Sequence, residues 1–205
     1  MTTAAPDVFY PIVPSADWVA RLGKLGVRTL QLRIKDKSGD EVRAEIAAAL
    51  QLTRAAGCRL IVNDYWQDAI DLGAEELHLG QEDLAGADLA AIRRAGIALG
   101  ISTHSDEELE AALAAGPTYV ALGPIYETKL KAMQWAPQGL DKIGTWRKRI
   151  GTLPLVAIGG ITPERAGPAL AAGADSIAVI TDFMTAPNPT ARVRLWLDWA
   201  ATVRA

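Results

Sequence analysis

The chain has 205 residues, 50% hydrophobic and 22% charged, and its 21 Lys and Arg against 24 Asp and Glu leave a net charge of −3. That balance argues against a general nucleic-acid or membrane-surface protein, which would carry a basic excess, so any phosphate binding has to come from a local cluster. Cys58 is the one cysteine, which excludes an intrachain disulfide and fits a reducing compartment. Met1 to Asp7 shows no basic region followed by an apolar stretch, and no apolar run is long enough to span a bilayer. With no Pro/Ser-rich linker or charge block dividing it, residues 1–205 are expected to form a single cytoplasmic domain.

Along the chain, short β-branched or leucine-rich runs alternate with alanine-rich segments of helical period. Strands are predicted at 8–13, 29–34, 59–64, 76–80, 98–103, 119–125, 155–160 and 176–181. The helices between them have readable ends. Val42, Ile46 and Leu50 recur at four-residue spacing from Asp40 to Gly57. Ser105 followed by Glu108 has the capping-box form, Leu109 and Leu113 then share a face, and Gly116 stops that helix. Thr162-Pro163-Glu164 sets a cap and a proline at N1, with Gly173 closing the helix.

Eight strand-then-helix units in this length predict an α/β fold, a single closed (β/α)8 TIM barrel. An open doubly wound sheet would want a glycine-rich turn after the first strand. Val13 is instead followed by Pro14-Ser15-Ala16-Asp17.

In a barrel the chemistry belongs where strands end and βα loops begin. Those positions collect Gln31, Arg33 and Lys35; Asn63 and Asp64; Gln81 and Asp83; Ser102 and His104; Thr128, Lys129 and Lys131; Gly159 and Gly160; Ile180 and Thr181. If the runs ending at Asp64 and Asp83 are neighbouring strands, their carboxylates lie at one edge and can share a divalent cation. Carboxylates for a metal, with Arg33, Lys35, Lys129 and Lys131 for phosphate, point to pyrophosphate chemistry.

The tracts TLQLRIKD, LIVNDYW, HLGQED, GISTH, ALGPIYETKLKAM with APQGL, VAIGGIT and SIAVIT resemble thiamine phosphate synthase, in family order across nearly the whole chain. The resemblance implies a transferase that condenses 4-amino-2-methyl-5-hydroxymethylpyrimidine diphosphate with a thiazole phosphate, giving thiamine phosphate and pyrophosphate. It implies Mg²⁺ held by Asp64 and Asp83, and donors to the diphosphate from Arg33, Lys35, Asn63 and Lys131. It also implies Gln31 on the pyrimidine and Ser102 placing the reacting groups, with Arg33, Ser102 and Lys131 as the catalytic set. The thiazole phosphate would sit on backbone N–H groups at Gly159-Gly160 and Ile180-Thr181, with the Thr128 hydroxyl beside it. The partners are these small molecules, with no nucleic acid and no membrane; a homo-oligomer stays open.

The chain departs from the family pattern at Glu127, Leu130 and Asp182, which remove a hydroxyl and add negative charge near two anionic ligands. The tract Ile125-Tyr126-Glu127-Thr128 resembles the related thiazole tautomerases, so a tautomerase using His104 for proton transfer is the alternative. A non-catalytic barrel that binds thiamine precursors is a third reading. Taken alone, Asp64 and Asp83 read as solvated turn carboxylates, and Lys129 and Lys131 as surface charges. His78, between Leu77 and Leu79, reads as a packed barrel residue, Cys58 as a small buried side chain, and Trp196 and Trp199 as packing against the barrel wall or a partner subunit. Lys129 to Gln138 reads as a lid over the bound diphosphate.

Overall fold

The computed structural model describes residues 5–128 and 136–204. In chain order the elements are β1 (Phe9–Val13), α1 (Ala16–Gly23), β2 (Thr29–Leu32), α2 (Asp40–Ala56), β3 (Arg59–Asn63), α3 (Trp66–Asp71), β4 (Glu76–Leu79), α4 (Gln81–Gly86) and α5 (Leu89–Arg94). There follow β5 (Ala98–Thr103), α6 (Asp106–Ala115), β6 (Tyr119–Leu122), α7 (Gly139–Ile150), β7 (Leu155–Ile158), α8 (Pro163–Ala171), β8 (Ser176–Val179), α9 (Thr181–Met184) and α10 (Pro189–Arg204). The strands form a closed barrel in the order β1 to β8, so the (β/α)8 expectation holds. Among the described residues no helix is long and apolar enough to cross a membrane.

The chain divides into two compact units, Pro11–Ile101 and a second made of Met1–Tyr10 with Ser102–Ala205. In the first unit the parallel register sorts the side chains by face. Gln31, Ile61, Glu76 and Ala98 stand in one row, and Asn63, His78 and Gly100 in another with the same parity. The alternate row runs through Leu32, Val62, Leu77 and Leu99. That row meets the apolar stripe of helices such as α2, whose Val42, Ile46 and Leu50 are buried as their spacing predicts. The buried Gln31, Asn63, Glu76 and His78 therefore line the barrel interior, and a polar interior is the first sign that this sheet does more than hold itself together.

In the second unit, Thr103 Oγ1 donates to the Ala121 carbonyl, β6 pairs with β7 and β7 with β8, and Ile177 N donates to Val8 O. Trp196 of α10 is fully buried and stacks on Phe9 with ring centroids 5.2 Å apart, and Trp199 meets Trp196 edge-on. Trp196 thus packs against the barrel wall.

Most strands end one to three residues earlier than their apolar runs suggest, and for β3 and β7 the reason is conformational. Asp64, Gly159 and Gly160 have φ of +70°, +98° and +65°, in the left-handed region where the ladder cannot continue. Two crossovers also hold an extra helix. Asp88 breaks the fourth by capping α5, accepting from Ala91 N at 2.9 Å, and the chain after β8 makes α9 before α10.

The caps follow the sequence only in part. Ser105 accepts from Glu108 N as expected, but the Glu108 carboxylate turns to His104 and leaves the reciprocal half of the capping box unmade. Thr162 makes no side-chain cap bond to the α8 backbone; its hydroxyl pairs with the Glu164 carboxylate and holds that carboxyl below its usual range. The α8 helix ends at Ala171, two residues short of Gly173.

Candidate active site

The chain leaves β3 through a sharp turn at Asp64. Asp64 N donates to His78 O at 2.9 Å, and its carbonyl accepts from Trp66 N at 2.8 Å, so the neighbouring strand and the start of α3 hold the left-handed conformation. Aspartate tolerates that conformation better than most residues, at a cost of about 1–2 kcal/mol. Strain held by surrounding bonds is a mark of functional turns. The turn aims the carboxylate into an open cavity of about 390 Å³ lined by Lys35, Tyr65, Trp66, Glu82 and Asp83.

Asp83 reaches that cavity by another route than the sequence suggests. It lies in the first turn of α4, beyond the end of β4, and the absent side chain of Gly80 leaves room beside its carboxylate, with the Gly80 Cβ position 3.5 Å from Oδ2. Partial desolvation, then the Asp64 charge and a hydrogen bond between the two carboxyls, raise the Asp83 pKa, with Lys35 opposing. Two acids brought together this way resist ionising together unless a cation joins them. Lys35 Nζ sits 2.5 Å from Asp64 Oδ2.

Beside them, Asn63 is 5% exposed, and its Nδ2 has no hydrogen-bond partner among the described residues. A buried amide donor without an acceptor is costly, and a ligand oxygen would satisfy it. Gln31 is buried in the barrel interior and Arg33 is half-buried at the end of β2, with Arg33 N bonded to Val13 O at 2.8 Å. The Arg33 charge is felt at His78.

The donor set suits a hard divalent cation. Two adjacent carboxylates are what Mg²⁺ takes from a protein when phosphate oxygens and water supply its remaining positions. Among the described residues no group of three or more His, Cys, Asp or Glu is placed to hold a metal ion.

The other expected anion site lies in the second unit. The loop after β6 lies directly on the end of β7, with Ile125 N donating to Ile158 O at 2.9 Å and Tyr126 N to Gly159 O at 3.0 Å. Three glycines permit this approach. A Cβ on Gly123 would lie 2.6 Å from Ile158 Cγ2, one on Gly159 2.6 Å from Pro124 Cα, and one on Gly160 2.4 Å from the Glu127 carbonyl oxygen. Arg165 stacks over Tyr126 and donates to Gly160 O, tying the same turn to α8. The half-buried Thr128 follows this loop. Ile180 and Thr181 form the turn into α9, with Met184 N and Thr185 N bonded back to their carbonyls.

Asp182 points away from that turn's backbone. Its carboxylate accepts two bonds from Arg192, at 2.8 and 2.7 Å, and one from Trp196 Nε1 at 2.7 Å, so its charge is neutralised within α9 and α10. Glu127 is exposed. Lys129, Leu130 and Lys131, with most of the expected lid, lie outside the described residues; of its described end, Gln138 N donates to Pro124 O.

Ser102 is half-buried near the end of β5. His104 lies one residue past that strand, and Glu108 Oε2 accepts from its backbone N at 2.6 Å and meets its Nδ1 at 2.8 Å. Only the i,i+4 spacing of His104 and Glu108 hints at that carboxylate beforehand. His78 is the packed interior residue expected, its pKa lowered to about 4 by burial. Cys58 bonds to the Val27 carbonyl, and desolvation raises its thiol pKa, which suits a structural cysteine. Tyr65, Trp66 and Glu82 are cavity residues that sequence reasoning passed over, although the aromatic pair directly follows Asp64.

Residues 9–183 match the family described as thiamine monophosphate synthase. The thiamine-phosphate synthase of Rhizobium etli is 59% identical over 199 residues, covering 97% of this chain and 98% of that protein. The thiamine-phosphate synthase of Cronobacter sakazakii is 53% identical over 87% of this chain and 85% of its own length. Among solved structures, the thiamine phosphate pyrophosphorylase from Pyrococcus furiosus aligns with a TM-score of 0.82 at 25% identity, covering 98% of both chains. The family match spans most of the chain and the relatives cover nearly all of it, and the chain belongs to the thiamine monophosphate synthase family.

Proposed function

We propose that the chain is a transferase that joins 4-amino-2-methyl-5-hydroxymethylpyrimidine diphosphate to a thiazole phosphate, releasing pyrophosphate. The observation that carries this reading is the cavity in which Asp64, Asp83 and Lys35 meet, with the unpartnered amide of Asn63 on the residue just before Asp64. Mg²⁺ held at Asp64 and Asp83 would supply positive charge to the diphosphate as it becomes a leaving group. Arg33 and Lys35 add charge-assisted donors and Asn63 Nδ2 a neutral one. The bond between the pyrimidine methylene carbon and the diphosphate oxygen breaks with its electron pair going to pyrophosphate. The amino-pyrimidine ring, oriented by Gln31, stabilises the methylene cation, and the thiazole nitrogen attacks it. No protein nucleophile is consumed, so the residues work by position and charge.

The thiazole phosphate is assigned to the loop after β6 with Gly160, Ile180, Thr181 and Thr128, and Ser102 and Lys131 complete the catalytic set. The Asp182 carboxylate, bound by Arg192 and Trp196, offers this anion little repulsion. The same proposal has residues 1–205 acting as one cytoplasmic domain, which predicts a single cooperative unfolding transition.

The test is incubation of the purified protein with both substrates and Mg²⁺, with mass spectrometry of the products. Thiamine phosphate and pyrophosphate in equal amounts support the reading, and their absence from folded protein sinks it. A second reading draws on the His104–Glu108 contact, because a carboxylate that fixes one ring nitrogen prepares the other for proton transfer. Solvent deuterium entering the thiazole phosphate without the pyrimidine substrate, and lost in His104→Asn, would favour a tautomerase.

A further inference from the structure

The ammonium that contacts Asp64 stands where a metal would be expected to approach. Lys35 Nζ is 2.5 Å from Asp64 Oδ2, and the Lys35 side chain is 52% exposed against 12% for Asp64. The backbone leading to Lys35 is tied at two places. Arg33 N is bonded to Val13 O, and the Ile34 carbonyl accepts from the Tyr65 hydroxyl at 3.2 Å. Asp64 is fixed in turn through its own N–H to His78 O. With both backbones held, contact between the two charges is made and broken by the Lys35 side chain alone. That side chain is long, exposed and free to rotate.

Glu82 and Asp83 also line the cavity, adding carboxylates to the lining that holds Lys35 and Asp64. An ammonium and a divalent cation repel strongly at the distance of two ligands on one carboxylate. Lys35 and a metal at Asp64 are therefore alternatives until something else accepts the ammonium. A diphosphate does so, because its oxygens bind both Lys and the metal.

We propose that Lys35 is a gate on metal binding: in the ligand-free chain it occupies Asp64, and a divalent cation enters with the diphosphate, whose oxygens draw the ammonium away. This rests on the diphosphate reading of the cavity and adds to it an order of events. The bare cation binds weakly, bare pyrophosphate finds Asp64 and Asp83 repelling it, and the two together bind cooperatively. The gate selects the metal–diphosphate complex over either component, through one lysine whose exposure leaves the fold little dependent on it.

The test follows Mn²⁺ binding by electron paramagnetic resonance and water-proton relaxation, using the full chain without substrate and then with inorganic pyrophosphate. Wild type is expected to bind Mn²⁺ at least tenfold more tightly when pyrophosphate is present. Lys35→Met is expected to bind Mn²⁺ alone at least tenfold more tightly than wild type, with much of the pyrophosphate enhancement gone. Lys35→Arg keeps the charge and is expected to behave as wild type toward the bare ion, which separates charge from packing. Equal affinity of wild type and Lys35→Met for Mn²⁺ alone overturns the gate and leaves the metal site standing. Failure of wild type to form a ternary complex with Mn²⁺ and pyrophosphate, in protein that melts normally, overturns the metal reading and the gate with it.

Discussion

Replacing Gly160 with alanine tests whether the loop after β6 is seated on β7 as the geometry requires. The substitution puts a β-carbon at φ +65° and 2.4 Å from the Glu127 carbonyl oxygen, about 1 Å short of an ordinary contact, with Tyr126 Cβ at 2.9 Å. The left-handed conformation alone costs about 1–2 kcal/mol for a residue with a β-carbon. Relieving the contact lifts Tyr126 and Glu127 and breaks the bond from Tyr126 N to Gly159 O, worth roughly another 1 kcal/mol. A loss of about 3 kcal/mol corresponds to a fall in Tm of roughly 6–12 °C for a chain of this size. The same displacement moves Thr128, so KM for thiazole phosphate should rise at least tenfold while KM for the pyrimidine diphosphate changes little. Gly144 supplies the control, because it lies inside α7 with no proline after it and its added β-carbon would come no nearer than 3.7 Å to the Ala172 carbonyl oxygen, an ordinary contact. Gly144→Ala should gain about 0.5–1 kcal/mol from helix propensity. A Gly160→Ala protein that melts within 2 °C of wild type would refute the account of the loop.

At Asp64, asparagine is the informative replacement, because it tolerates the φ of +70° while removing the charge. Asp64→Asn or Asp83→Asn should lower turnover at least a hundredfold at unchanged Tm, measured as pyrophosphate release. Arg147 donates to the carbonyls of Gly151, Leu153 and Gly173 and pairs with Asp175, whose carboxylate also accepts from Leu155 N. Arg147→Ala should therefore cost about 2–3 kcal/mol in urea denaturation without altering KM. His78 is neutral in the fold down to about pH 4 and binds a proton near pH 6.5 when unfolded. The unfolded chain thus holds more protons in that window, and stability should fall as pH drops from about 6.5 to about 4, by up to about 1.4 kcal/mol per unit. A folded His78→Asn protein should show a flatter curve there.

The fold was legible because its signals are local. Leu77 and Leu79 face one way and Glu76 and His78 the other, and the periodicity of two in that tract is the register the barrel adopts. Ser105 and Gly116 mark the ends of α6 because a hydroxyl and a left-handed glycine act on their own helix. What the sequence hid depends on partners distant along the chain or on competition between nearby ones. Gly123 reads as one residue of the strand predicted at 119–125, yet glycine is required there because Ile158 lies against it. Asp182 reads as a charge beside an anion site until Arg192 and Trp196 are seen to hold it. Glu108 has the spacing of a capping box, and His104 wins its carboxylate. Asp83 follows an apolar run closely enough to look like a strand end, but the chain has already turned at Gly80 into α4.

Whether a metal at Asp64 drives departure of the diphosphate is tested most directly by the rate of pyrophosphate release from wild type and Asp64→Asn, with both substrates, across a titration of Mg²⁺ and with excess chelator. Wild-type turnover is expected to rise with Mg²⁺ to saturation and to stop with chelator, with the variant at least a hundredfold slower throughout. Undiminished wild-type turnover in chelator, or a variant that matches wild type at saturating Mg²⁺, would contradict that role of the metal.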